Sequence, residues 1–320
     1  MDRADWCFIS GVVAASETRL LGHEELVELL RGGSAATMVS RLRQSEVYRQ
    51  VGVEEGAEGL SGRIELAVIK ALREAGKMSP DARAVELVLS PYDHQQVRNY
   101  IKAQVQGHAF EGSRFSELVE AELRGAWEDS YGAEERWAGV CRSVRRELAA
   151  GGDADVVIDL VIDHDELAGL LELARGLESE FIERCYAEYT SARARLAMVR
   201  ARLAGLDGEQ VRRLGTGLLD EGEVNELAEL PMERLGHRLG ADRAGQGRVA
   251  EGLARLALEI DNTMTERARD AKGFAFGPEP VFGYAWGLWV ECMNLKLISE
   301  TKLLGAPAAS TEWRLRKTYV

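Results

Sequence analysis

Residues 166–181 read ELAGLLELARGLESEF. Apolar side chains return in this stretch every three or four positions, which is the spacing of one face of an α-helix. The glutamates between them fall mostly on the other faces. The stretch therefore predicts an amphipathic helix whose apolar face packs against a core. The residues of that face are Leu167, Leu170, Leu171, Ala174, Leu177 and Phe181.

The sequence on either side of this stretch also favours long helices. None of the six prolines lies between Pro91 and Pro231, so no strong helix breaker interrupts those residues. Residues 156–162 are rich in β-branched side chains, but Asp159 and Asp163 are spaced as neighbours on a helix. The sequence therefore predicts an all-α fold. Further stretches with helical spacing are residues 24–30, 63–75 and 193–203.

The net charge of the chain limits the kinds of molecule that the protein can bind. The 320 residues include 40 basic and 53 acidic ones, which gives a net charge of −13. Such a surface is repelled by nucleic-acid phosphates and by anionic lipid headgroups. No basic patch is obvious in the sequence, so we expect no nucleic-acid partner.

Cysteine usage and apolar runs indicate where the protein resides. The four cysteines stand far apart, as expected of free thiols in a reducing compartment. The first residues, 1–6, lack the features of a secretory signal. The most apolar run, residues 281–290, is about half the length that spans a bilayer. We therefore expect a cytoplasmic protein whose contact with a membrane is peripheral or indirect.

A six-residue pattern recurs along the chain. Residues 93–98 read DHQQVR and residues 291–296 read ECMNLK, so each has an acid, a polar amide three positions later, an apolar residue and a base. The separation predicts a copy midway, and residues 188–193, EYTSAR, match more weakly. The spacing predicts three similar helical units, at residues 1–112, 113–206 and 207–320.

The repeated pattern supplies the candidate functional residues. Residues three apart share a helix face, so each copy places a small polar patch on an apolar helix. Such groups need partners if they are buried. They could bond a neighbouring repeat or line a cavity that another protein enters, or the pattern could be a chance product of charged helices. The candidate interaction residues are Tyr92, Asp93, Gln96, Arg98, Glu291, Asn294 and Lys296.

Several stretches have a more specific order of residues. Residues 92–98 read YDHQQVR, and residues 277–280 form a proline-containing turn, GPEP, that leads into a helix. That helix contains NLK at residues 294–296, and residues 315–320 read LRKTYV. Further matching positions are Ile101, Lys102, Gly283, Tyr284, Glu291 and Ile298.

These residues resemble the C subunit of archaeal and bacterial A/V-type ATPases, which is called subunit d in the eukaryotic vacuolar enzymes. The resemblance spans essentially the whole chain, and its N-terminal part rests on Glu17, Arg19, Leu20 and Leu21. The chain departs from the family where two arginines and an asparagine are usual. The residues found there are Ser10, Val12 and Ala14.

The resemblance implies a funnel-shaped, all-helical body of three units around a pseudo-threefold axis. It also implies a non-catalytic adapter on the cytoplasmic face of the membrane. Its partners would be the central-stalk subunits and the membrane proteolipid ring, so that rotation couples ATP turnover to H⁺ or Na⁺ transport. No cofactor is implied.

The residues offer little for catalysis. The glycines at 215–217 do not form a dinucleotide loop, and no phosphate-binding loop ending in glycine, lysine and serine or threonine occurs. We therefore expect no direct nucleotide binding. The densest acid cluster, DHDE at 163–166 with Asp159 one turn earlier, predicts a solvated helix start, where acids favour the positive end of the dipole.

Two other classes of protein stay open on the residues alone. A carboxylate-rich, metal-dependent helical enzyme would use the acid cluster, and a helical scaffold unrelated to rotary ATPases would use none of it. The residues of the enzyme alternative are Asp159, Asp163, His164 and Glu166.

The apolar helix near residues 281–295 raises a separate question. An apolar surface on nearly all sides predicts a central helix, in which Cys292 is an inert thiol and the aromatic residues belong to the core. Glu291 stands out in that helix. It is either a paired buried acid or a polar contact in a socket.

Overall fold

The computed structural model describes residues 3–51, 59–112, 115–130, 132, 134–231, 234 and 246–320. Over these residues the chain is helical and contains no strand. An isolated bridge between Thr216 and Leu219 is the one β-type pairing recorded in them. The all-α prediction is confirmed. None of the helices in these ranges is both long enough and apolar enough to cross a membrane.

Within the described ranges the chain forms fourteen α-helices and two short 3-10 helices, Arg3–Trp6 and Ala271–Gly273. In chain order the α-helices are α1 (Cys7–Glu17), α2 (His23–Arg31), α3 (Ala35–Leu42), α4 (Gly59–Met78), α5 (Arg83–Gln106), α6 (Glu120–Glu128), α7 (Glu135–Ala150), α8 (Ala154–Gly176), α9 (Glu180–Leu203), α10 (Gly208–Gly215), α11 (Glu221–Glu229), α12 (Gln246–Asp270), α13 (Pro278–Leu303) and α14 (Ala308–Glu312).

The chain divides into two compact units, and each unit is assembled from separate stretches of sequence. Unit 1 comprises Met1–Leu89, Leu173–Cys185 and Leu258–Val320, and unit 2 comprises Ser90–Glu172 and Tyr186–Ala257. The three units inferred from the spacing of the repeated pattern stay a prediction, as does their arrangement around a pseudo-threefold axis.

Helix α13 forms the centre of unit 1. Nearly all its side chains between Pro278 and Ser299 are buried, including the aromatic residues Phe282 and Trp286. It packs against α1, α2, α3, α4 and α14. Proline at the first helical position suits the start of a helix, because that position has no intrahelical partner for an N–H. The central position predicted from its composition is confirmed.

Residues 314–320, which we call the strap, pack on α13 where it carries two glycines. A Cβ atom at Gly287 would lie 2.6 Å from Cγ of Tyr319, and a Cβ atom at Gly283 would lie 2.7 Å from the Tyr319 hydroxyl. The hydroxyl donates to Oε1 of Glu17 over 2.7 Å, and Nε of Arg316 lies 2.9 Å from Oδ2 of buried Asp261. Only glycine leaves room for the Tyr319 ring at these two positions.

Unit 2 contains two apolar cores. The first core joins α5, α6, α7 and α8 through residues such as Ile101, Val140 and Ile158. The second core joins α8, α9, α10 and α11 through residues such as Met198 and Leu214. Helix α8 contributes to both cores, which explains why the sequence around it has apolar residues on more than one face.

The prediction of one continuous helix over residues 166–181 is wrong, because these residues belong to two helices, α8 and α9, with a break between them. Helix α8 ends at Gly176, and Glu178 adopts a left-handed conformation with φ of 54°. The hydroxyl of Ser179 then accepts the N–H of Ile182 at 3.4 Å, which caps the next helix. The apolar period continues across the break because Leu177 still packs inward.

Candidate functional site

The first copy of the repeated pattern lies on α5 in unit 2. Oδ1 of Asp93 accepts a hydrogen bond from the Ser116 hydroxyl over 2.6 Å. Nε2 of buried Gln96 donates to the carbonyl of Leu118 over 3.4 Å. The ring of Tyr92 lies beside a phenylalanine ring, with centroids 6.1 Å apart. Three of the predicted site residues thus bind the segment that follows α5.

The base of the first copy binds the acid cluster of α8. Nη2 of Arg98 lies 2.5 Å from Oδ1 of Asp163, and its Nε lies 3.3 Å from Oδ1 of Asp159. Nζ of Lys102, one turn further along α5, lies 2.7 Å from the same Asp159 oxygen. Two cations of one helix therefore neutralise two carboxylates of another.

This pairing corrects the interpretation of the acid cluster as a solvated helix start. Asp163 lies in the middle of α8, and the cluster is half-buried against α5. Burial raises the pKa of Asp163 and of Glu166, although Arg98 and His94 respectively oppose the shift. The pattern within α8 could not show this, because the cations come from a helix about sixty residues earlier.

His94 belongs to the same contact between α5 and α8, although it is not among the predicted interaction residues. It is completely buried, with Nδ1 2.9 Å from the Ser90 carbonyl and Nε2 3.1 Å from Oδ2 of Asp165. Nη2 of Arg136 lies 3.3 Å from the same Nε2. The edge of the imidazole meets the Trp137 ring, with centroids 5.2 Å apart. The signal in the sequence was its place in YDHQQVR, one of the stretches that carry the family resemblance.

The last copy of the pattern lies on α13 in unit 1. Oε1 of Glu291 accepts the Tyr48 hydroxyl at 2.7 Å, and Oε2 accepts the Leu21 N–H at 2.5 Å. Nζ of Lys296 lies 2.5 Å from Oε2 of Glu65 on α4. As in the first copy, the acid accepts a hydroxyl and the base pairs with an acid of a neighbouring helix.

Asn294 completes the last copy by holding the strap. It is completely buried, its amide nitrogen donates to the carbonyl of Arg316 over 3.1 Å, and its oxygen accepts the Arg316 N–H at 2.8 Å. The two bonds pair the amide with both the N–H and the carbonyl of one backbone residue. The strap is therefore fixed at this point by a side chain of α13.

Burial changes the acidity of Glu291. The pKa of this carboxyl rises to about 7, because removal from water disfavours its charged form more than the Leu21 N–H and the Tyr48 hydroxyl favour it. Burial and the neighbouring carboxylate also raise the pKa of Tyr48 well above its usual value. Of the two interpretations of Glu291, the structure fits a buried acid with internal partners. Its role in contact with another protein stays a prediction.

The middle copy, on α9, has the same geometry at its fourth position. The Ser191 hydroxyl donates to the carbonyl of Leu218 over 3.0 Å. In the three copies the fourth residue thus binds a backbone carbonyl 22, 27 or 22 residues further along the chain. Each of these carbonyls lies outside an α-helix. In each copy of the repeated pattern, the fourth residue therefore attaches an α-helix to the segment after it by a hydrogen bond.

We predict that removing the fourth residue's hydrogen bonds lowers the free energy of unfolding most in the last copy. Asn294→Ala should lower the free energy of unfolding by about 2 kcal/mol, since two buried hydrogen bonds are lost. Gln96→Ala and Ser191→Ala each remove the bond to the backbone carbonyl of the following segment and should lower the free energy of unfolding by about 1 kcal/mol. Urea unfolding of the three variants measures the order. Equal costs, or a smaller cost at Asn294, would contradict the assignment.

The acids of the metal-enzyme alternative have partners of their own. Asp159 and Asp163 are paired with cations of α5, and Nδ1 of His164 lies 3.3 Å from the Leu214 carbonyl. Among the residues that the structure describes, no three histidine, cysteine or carboxylate side chains are grouped so as to hold a metal ion. Burial raises the pKa of Cys292, as expected of an inert thiol.

The chain is related to a known protein family. The family described as ATP synthase (C/AC39) subunit matches residues 9–314. The chain belongs to this family. The three copies of the repeated pattern of this C/AC39 subunit all lie within the matched residues, and most of the strap lies beyond them. The resemblance found in the sequence is confirmed. No curated protein matches the chain.

Proposed function

We propose that this C/AC39-family subunit is a non-catalytic rotor adapter of an A/V-type ATPase or ATP synthase. It links the central stalk to the membrane proteolipid ring, so that rotation couples ATP turnover to H⁺ or Na⁺ transport. The family match over residues 9–314 carries the proposal. The subunit is peripheral, on the cytoplasmic side, and contacts the membrane only through the ring.

The internal fastening of the chain supports this role. An element that transmits torque must resist deformation, and stiffness comes from packed helices whose polar groups have fixed partners. Asp93, Arg98, Glu291 and Lys296 all bind groups of the same chain, and Asn294 holds the strap. We propose that these residues, with Tyr92 and Gln96, act in partner binding by keeping the binding surface rigid.

The proposal is tested by reconstitution. The chain is produced together with the head, stalk and ring subunits of the same organism's rotary ATPase, and the complex is inserted into vesicles. Without the chain, we expect ATP hydrolysis by the head and stalk but no ion gradient. Adding the purified chain should restore the gradient.

The chain must also bind both partners and no nucleotide for the proposal to hold. A tagged chain should capture the stalk subunits and the detergent-solubilised ring in separate pull-down experiments, and calorimetry should detect no ATP binding. Full ion transport without the chain would overturn the proposal. So would a micromolar affinity of the isolated chain for ATP.

A further inference from the structure

Unit 2 contains a cavity of about 440 Å³ lined by residues of α7, α8 and α10 and by Leu206 and Thr216, which flank α10. Its apolar wall takes Val140 and Val161 from the first core and Leu160, Leu206 and Leu214 from the second core. The cavity is therefore a space that the two cores leave between them. Such a space costs contact energy, because the lining atoms lack neighbours on one side.

The charged side chains around this cavity differ from the rest of the protein. Three guanidinium groups face two carboxylates, whereas the chain as a whole has a net charge of −13. The lining therefore has a local excess of positive charge. The charged residues that line the cavity are Arg136, Arg146, Arg213, Glu147 and Asp165.

One buried carboxylate positions two of the arginines. Oε1 of Glu147 lies 3.2 Å from Nε of Arg146, and its Oε2 lies 3.4 Å from Nη2 of Arg213. Glu147 is only 8% exposed, so the two guanidinium groups are held from the protein side. Nη1 of Arg213 also lies 3.7 Å from Oε1 of Glu209. A guanidinium carries five N–H donors, so both arginines keep donors beyond these contacts. The remaining donors suit an oxyanion, which arginine binds through paired N–H groups.

We propose that this cavity binds a small organic oxyanion with an apolar body. The head, a carboxylate or a phosphate monoester, contacts Arg146 and Arg213, and the body fills the space between the two cores. The volume lies within the range of cavities that hold small molecules, and such sites combine apolar walls with a few polar groups. The site goes beyond the adapter role and does not depend on it.

Calorimetry with the full-length purified chain tests the chemistry of the ligand. Decanoate and decyl phosphate are the probes, used below their micelle concentrations, and decyltrimethylammonium has the same chain with the opposite charge. We expect at least one of the two anions to bind with one site per chain and at least tenfold more tightly than the cation. Acetate and inorganic phosphate, which lack the apolar body, should bind at least a hundredfold more weakly.

A matched pair of glycine variants tests the location. Gly139 lines the cavity on α7, and a Cβ atom there would meet nothing closer than 3.9 Å, so Gly139→Leu should fill part of the space. Gly11 on α1 in unit 1 also has open space around it, and Gly11→Leu is the control. We expect Gly139→Leu to weaken the anion at least tenfold and the control to leave it unchanged.

A separate variant tests whether an arginine of the cavity binds the anion. Arg213→Gln should weaken the same anion at least tenfold while the variant retains the helical far-UV spectrum of the parent. The proposal is overturned if neither anion binds, or if the cation binds as tightly as the anions. It is also overturned if Gly139→Leu and Gly11→Leu bind the probe equally well.

Discussion

The variant Glu291→Gln should lose the part of the pH dependence of stability that the Glu291 carboxyl gives the parent protein between pH 5 and pH 8. The pKa of this carboxyl is about 7 in the folded protein and has its ordinary value of 4.5 in the unfolded chain. The folded state therefore keeps its proton over a range in which the unfolded state has lost it. Stability is highest below the unfolded pKa and falls as the pH rises through the folded pKa.

The size of the effect follows from the difference between the two pKa values. Each unit corresponds to 1.36 kcal/mol, so the parent should lose about 3 kcal/mol through this group by pH 8. Glutamine cannot ionise, and its amide can still accept the Leu21 N–H and donate to the Tyr48 oxygen. The variant should consequently be the more stable protein at pH 8. Urea unfolding from pH 5 to pH 8 measures how the free energy of unfolding changes with pH in the parent and in the variant.

Glu24→Gln supplies the control for this experiment. Glu24 lies exposed on α2 in the same unit, so its removal changes the net charge equally without touching the buried site. The control should follow the parent across the pH range. If Glu291→Gln also followed the parent, Glu291 would not be the buried titrating group.

The variant Gly287→Ala should destabilise unit 1 by about 3 kcal/mol, because overpacking of a filled core costs about that much. The added Cβ would lie 2.6 Å from Cγ and 2.7 Å from Cβ of Tyr319. These atoms are close to the backbone of the strap, so the ring cannot avoid the clash by rotation alone. The strap must move, which also strains the contact between Arg316 and Asn294.

Three further variants test whether contact between Gly287 and Tyr319 causes this loss of stability. Gly11→Ala adds a Cβ atom that would meet no atom within 4 Å beyond its chain neighbours and its own helix backbone. The change should stabilise the protein by about 1 kcal/mol through helix propensity. Tyr319→Ala alone should be destabilising, because a buried ring is lost. The double variant Gly287→Ala with Tyr319→Ala should cost less than the sum of the single changes. Additive costs would show that the glycine and the ring do not meet.

The sequence was sufficient for the class of the fold and for the polar positions of the repeated pattern. Apolar residues at helical spacing predicted the helices, and an acid and an amide three residues apart marked the surface where α5 and α13 bind other segments. The hydrogen-bond partners of those positions could not be predicted from the sequence. Ser116, Tyr48 and Leu21 have nothing in their local sequence that connects them to Asp93 or Glu291.

Three features were hidden for different physical reasons. The break at Glu178 was hidden because a left-handed residue need not interrupt the apolar period. The burial of the acid cluster was hidden because Arg98 and Lys102 reach it from another helix. The glycines at 283 and 287 looked like small members of an apolar helix, and their purpose depends on the position of a tyrosine in the strap.

The discontinuity of unit 1 has a consequence for how the protein folds during synthesis. Its central helix, α13, is made long after helices α1 to α4, against which it packs, and the bond between Leu21 and Glu291 closes a loop of 270 residues. Such distant contacts form slowly, because loop closure must precede any gain from packing. Helices α1 to α4 must therefore leave the ribosome with their apolar faces uncovered. We expect nascent chains that stop before α13 to be the forms that chaperones retain and proteases remove.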